Sequence, residues 1–172
     1  MTTETFDISS LLKSIDETVV QLLEQMDSLN EDKVNVVPYP GSWTAAQLFR
    51  HVIKSTRGMT KAMEMPGKPA DRDPGARIPD LKNAFLDFST KLQSPEFIVP
   101  EPGPYEKEAI MEDLKTSFEK FKKLVQVTDL SGFIEGLPLG PITKLEVLHF
   151  VLFHTTRHLH QMHKIVDALN ES

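Results

Sequence analysis

The sequence predicts an all-α protein: a four-helix bundle with a long crossover between helices 2 and 3 that carries a short extra helix. Three observations predict it. Apolar residues recur at three- and four-residue spacing in long stretches, which places them on one face of a helix. Two of those stretches open on a capping box, T-x-x-Q or T-x-x-E. The connections between them are rich in Pro and Gly, and no stretch shows a convincing strand pattern.

The first helix is predicted from about Ile8 to Leu29, with Leu11, Leu12, Ile15, Val19, Leu22, Leu23 and Met26 as its apolar stripe. A turn follows at Val36-Val37-Pro38-Tyr39-Pro40-Gly41. The second helix starts on the box formed by Thr44 and Gln47, with Trp43 placed for a hydrophobic staple onto Leu48, and runs to about Met63. Pro66 to Pro79 reads as a surface loop. The short helix follows, with Leu81, Ala84, Phe85, Phe88 and Leu92 on one face. Pro95 to Pro104 is irregular, and the next long helix spans about Tyr105 to Val127. Gly140-Pro141 breaks the chain before the last helix, which opens on the box of Thr143 and Glu146 and runs to about Leu169.

The chain of 172 residues fits one domain, residues 1–172. Its net charge of -6 argues against general nucleic-acid binding, which needs a surplus of Lys and Arg. The absence of cysteine removes disulfides, thiolate nucleophiles and Cys-based metal sites. Any metal chemistry must therefore use His, carboxylates or neutral oxygens. The start, Met1 to Asp7, has neither the basic residues nor the apolar run of a signal peptide, and no stretch is apolar for long enough to span a bilayer. The expected compartment is the cytoplasm, with no membrane partner.

Five of the six histidines fall in the last helix. At about 100° per residue, His154 and His158 lie roughly 40° apart, on the sector of Val147 and Ile165 that points to the core. His149, His160 and His163 lie about 180° to 240° away. Two imidazoles at i, i+4 can converge on one ion, although the same spacing also occurs between surface neighbours. Thr155-Thr156-Arg157 stands between them, so the glutamate base of H-E-x-x-H is missing. The sixth histidine, His51, shares a helix face with Gln47 and Ser55. Packing the second helix on the last brings it toward His154 and His158, as three ligands with an open position. Gln47, Ser55 and Gln161 are the candidates to orient the rings. His160 and His163 read as a solvated or interface face. The first half of the last helix is apolar nearly all round, which predicts burial against a second subunit, a homodimer.

These residues resemble a known family. Gly41-Ser42-Trp43-Thr44-Ala45-Ala46-Gln47-Leu48-Phe49-Arg50-His51 is similar to the W-[ST]-x-x-[EQ]-x-x-x-H opening of the DinB/YfiT-like metalloenzyme superfamily. His154-Thr155-Thr156-Arg157-His158-Leu159-His160-Gln161 resembles its closing H-x-x-x-H-x-x-Q, and Gly140 to Glu146 its lead-in. The resemblance implies a bundle of the DinB/YfiT-like type with a divalent metal on His51, His154 and His158. It also implies kinship with transferases and isomerases that use low-molecular-weight thiols. An all-imidazole site suits zinc, nickel, iron or copper, with zinc favoured on abundance and nickel second. Three readings follow. The first is a metal-dependent transferase acting with a small thiol, or a hydrolase, on a small-molecule substrate. The second is a non-catalytic metal-binding or stress-response protein. In the third the histidines pack the core and hold no metal.

Overall fold

The computed structural model describes residues 7–171. Residues 1–6 and 172, and with them most of the N-terminal stretch read above for a leader and both ends of the 1–172 domain, lie outside the described residues. Five helices and one small β-ribbon make up the fold: α1 (Ile8–Asp27), α2 (Ala45–Glu64), α3 (Ile78–Leu86), a 3₁₀ turn (Glu96–Ile98), α4 (Lys107–Gln126), β1 (Phe133–Ile134), β2 (Ile142–Thr143) and α5 (Lys144–Asn170). The four long helices form a ring. Helix α1 packs on α5 and α4, and α2 packs on α4 and α5, so α1 and α2 face each other across the bundle. The short α3 lies on α5.

The predicted stripes close the core. Leu12, Ile15, Val19, Leu22 and Met26 of α1 meet Ile110, Leu114, Phe118 and Phe121 of α4 and the inner face of α5 in one buried cluster. Each such side chain contributes about 1.5–3 kcal/mol by leaving water. Both capping boxes form as the sequence predicts. Thr44 Oγ1 accepts from Gln47 N and Gln47 Oε1 from Thr44 N, both at 3.0 Å. Thr143 and Glu146 do the same at 3.0 and 3.1 Å. Lysines close two helix C-termini: Lys33 Nζ donates to Leu169 O, and Lys107 Nζ to Leu29 O and Asp27 O.

Two expectations need correction. Strands exist: β1 pairs antiparallel with β2, and Lys68 extends the ribbon by bonding Phe133 through both main-chain groups. Two-residue strands are too short for alternation to show in sequence. Gly67 is required here, because a Cβ on it would stand 2.8 Å from Gly132 Cα. Second, the short helix starts at Ile78 and ends at Leu86. Pro79 sits in its first turn, where no N–H is needed. Asp87 ends it by accepting from Ser89 N, Ser89 Oγ and Thr90 Oγ1, a turn that competes with the helix. Phe88 and Leu92 therefore leave the stripe and stand exposed. At the apolar start of α5, Leu145, Val147, Leu148, His149, Phe150, Val151 and Phe153 are buried within the chain, and Leu152 is half-buried. No helix among the described residues is long and apolar enough to cross a membrane.

Candidate metal centre

The box at Thr44 fixes the start of α2, so His51 falls on the face that meets α5. The box at Thr143 does the same for α5 and its two histidines. The three rings converge. Nε2 of His51 lies 3.0 Å from Nε2 of His158 and 3.1 Å from that of His154, and the last two are 3.1 Å apart. All three side chains are buried. Among the described residues they form the one group of three or more His, Cys, Asp or Glu placed to share an ion.

The outer nitrogens decide what faces inward. His51 Nδ1 lies 2.8 Å from Ile98 O, and His158 Nδ1 lies 2.8 Å from Gln161 Oε1. Both partners are acceptors, so both Nδ1 atoms carry the proton. Each Nε2 then presents a lone pair, and two lone pairs 3.0 Å apart repel rather than bond. A cation between them removes that conflict. The spacing also fits, since tetrahedral bonds of about 2.0–2.1 Å put neighbouring donor atoms roughly 3.3 Å apart.

Electrostatics favours the neutral, metal-binding form of each ring. Burial holds His158 down to about 3, with the neighbouring His51 adding to the effect and the Gln161 hydrogen bond opposing it. His154 is pushed well below its ordinary value by burial first, then by His158, His51 and Arg157. Burial also lowers His51, against the pull of the Ile98 carbonyl.

The rings line a cavity of about 840 Å³. Trp43 walls it, its ring 4.7 Å from that of His51 and 6.4 Å from that of His158. Phe150 and Phe85 pack on His154, at 5.1 and 6.1 Å. Phe88 stacks on His160 at 4.1 Å with their planes 7° apart.

The other sequence candidates divide. Gln161 holds His158. Gln47 completes the capping box and bonds to none of the three rings, so the Ile98 carbonyl takes the place expected for it. Ser55 is buried and lines the cavity, and among the described residues its hydroxyl bonds to none of the rings. His149 is buried, with Nδ1 3.0 Å from Leu145 O. His160 lines the cavity instead of a free outer face, and His163 is exposed. Arg50 pairs with Glu101, and Arg157 donates to the carbonyls of Phe85, Asp87 and Thr90. Two parts of the site were missed in sequence. The role of Ile98 is played by its main chain and leaves no side-chain signal. Trp43 was read as a staple and as part of the family motif but not as a wall of the site, and its position just before the cap of the helix that carries His51 was the available clue.

Fold and cluster together define a class: a helical bundle with a buried three-imidazole site that can hold a metal ion and opens into a cavity. The chain belongs to the DinB superfamily, whose family model matches residues 14–162. No curated protein and no solved structure matches the chain.

Proposed function

We propose that this protein is a divalent-metal-dependent enzyme that transfers a low-molecular-weight thiol to a small electrophile. The observation that carries the enzymatic reading is that the three imidazoles line a cavity instead of being sealed inside the bundle. The thiol half rests on the family resemblance; the imidazole donor set and the open side support the metal half.

His51, His154 and His158 would hold the ion, with zinc first and nickel second on an all-imidazole set. When bound, such an ion supplies a Lewis acid that yields a thiolate or hydroxide nucleophile at neutral pH. Ile98 and Gln161 keep two of the three rings in the ligating tautomer. Trp43, Phe85 and Phe150 exclude bulk water around the reacting atoms. In the transfer, the sulfur bonds to the electrophilic carbon, the leaving group departs with its electron pair, and the thiol proton passes to solvent.

The test is metal analysis of untagged protein, followed by conjugation of several small thiols to 1-chloro-2,4-dinitrobenzene, with His158→Ala as the blank. One ion per chain and thiol transfer in the parent protein are expected, both lost in the variant. Equal transfer by both proteins rejects the reading. Ester hydrolysis without any thiol would replace transfer by hydrolysis at the same centre.

A further inference from the structure

The cavity carries a charge opposite to that of the chain. Asp and Glu outnumber Lys and Arg by 25 to 19 overall. The cavity lining includes Lys91, Arg157 and Lys164 but no carboxylate. The acidic residues adjoining it in sequence, Asp87 and Glu96, are not among the lining residues, although Asp87 bonds to the lining Ser89 and Thr90 and feels the charge of Arg157. Arg157 donates to main-chain carbonyls, so no salt bridge among the described residues neutralises it. Lys91 and Lys164 are exposed at the cavity mouth and, among the described residues, make neither a hydrogen bond nor an ion pair. Much of the rest of the lining is apolar, with Trp43, Phe88, Phe97, Leu139 and Phe150 among it. Lys164 follows His158 by six residues on one helix, which sets it about 9 Å further along the axis.

We propose that the electrophilic substrate is an amphipathic acid. Its anionic end is read by Lys91 and Lys164, and its apolar body lies against the apolar walls that the cavity shares with the three imidazoles. This deepens the reading above and rests on it for the reaction, while the charge recognition stands apart from the metal. Apolar walls supply the contact area, and a small number of placed charges supplies orientation. Unpaired ammonium groups in an acidic protein also draw an anion to this mouth rather than to the rest of the surface.

Trp43 is the single tryptophan of the chain and lines the cavity, so its fluorescence reports occupancy. The probes are 4-phenylbutyrate, its neutral amide, 4-phenylbutylamine, and butyrate, which lacks the apolar body. Titrations are run on the metal-loaded protein and again after chelation, so that selectivity due to carboxylate binding at the metal is recognised. Phenylbutyrate is expected to bind at least tenfold more tightly than each of the other three in both forms. The double variant Lys91→Gln, Lys164→Gln should shrink the preference over the amide to twofold or less. The variant Lys115→Gln, Lys120→Gln, with the same change in net charge on α4, should leave it intact. Equal binding of acid and amide, a preference untouched by the first double variant, or no binding of any probe overturns the proposal. Selectivity without metal binding or thiol transfer would sink the enzymatic reading and leave this one standing.

Discussion

Glu146 shows how the crossover is tied to the helix that carries two of the three histidines. Its side chain is 0% exposed and accepts from Nη1 and Nη2 of Arg72, at 3.0 and 2.7 Å, from Thr143 N at 3.0 Å and from Arg77 N at 2.6 Å. Replacing Arg72 by Met strands a buried carboxylate, which in general costs about 3–5 kcal/mol. Two main-chain donors remain and Arg72 is 27% exposed, so the cost should fall below that range, at about 2–3 kcal/mol. For a chain of this length that lowers the melting temperature by roughly 4–12 °C. In the Glu146→Gln background the same change should cost under about 1 kcal/mol, because no charge is left to strand. The assay is urea unfolding of the four proteins of the cycle, followed by circular dichroism. Burial by itself raises the Glu146 pKa, but the hydrogen bonds from Arg72, Thr143 and Arg77 outweigh it and the net shift is downward. The coupling should thus be complete above the ordinary glutamate value of about 4.3 and fade as pH falls through the lower folded value. Costs that add within about 0.5 kcal/mol at pH 7 would refute the reasoning.

Two further predictions concern the imidazoles. Gln161→Leu removes the acceptor of His158 Nδ1 and should weaken zinc binding by about 10–100-fold, whereas Gln161→Glu should keep it; competition with a chromogenic chelator reads both. Burial lowers all three histidine pKa values, which favours neutral rings before the ion arrives. Zinc uptake at pH 6 should then release fewer protons per ion than the roughly two that three ordinary imidazoles of pKa about 6.5 would release; calorimetry in buffers of different ionisation enthalpy measures the number. Since the folded values lie below the unfolded one, the stability these neutral rings contribute is full above about 6.5 and lost as pH falls toward the folded values.

Much of the bundle was legible because two signals agreed at its decisive points. The capping boxes at Thr44 and Thr143 fixed where α2 and α5 begin, and the helical period then placed His51, His154 and His158. What escaped was set by tertiary contacts. The ribbon of Lys68, Phe133 and Thr143 is too short for a period to show. The end of α3 is decided by the turn at Asp87, while Phe88 and Leu92 keep a helical rhythm beyond it. The inward turn of Trp43 depends on where α5 lies, which no local pattern records. The apolar girth of α5 reads as a need for cover, and a sequence stripe cannot say which surface supplies it.

The acceptor that orients His51 is a main-chain carbonyl, and the side chain of the same residue, Ile98, lines the cavity. Those two tasks are separable. Any replacement at position 98 that preserves the backbone path keeps the carbonyl, so the shape of the chamber can be redesigned there without disturbing the ring. Position 161 has no such freedom, because the acceptor for His158 is the side chain itself. An engineer who wishes to change what fits into the chamber should begin at 98 and leave 161 alone.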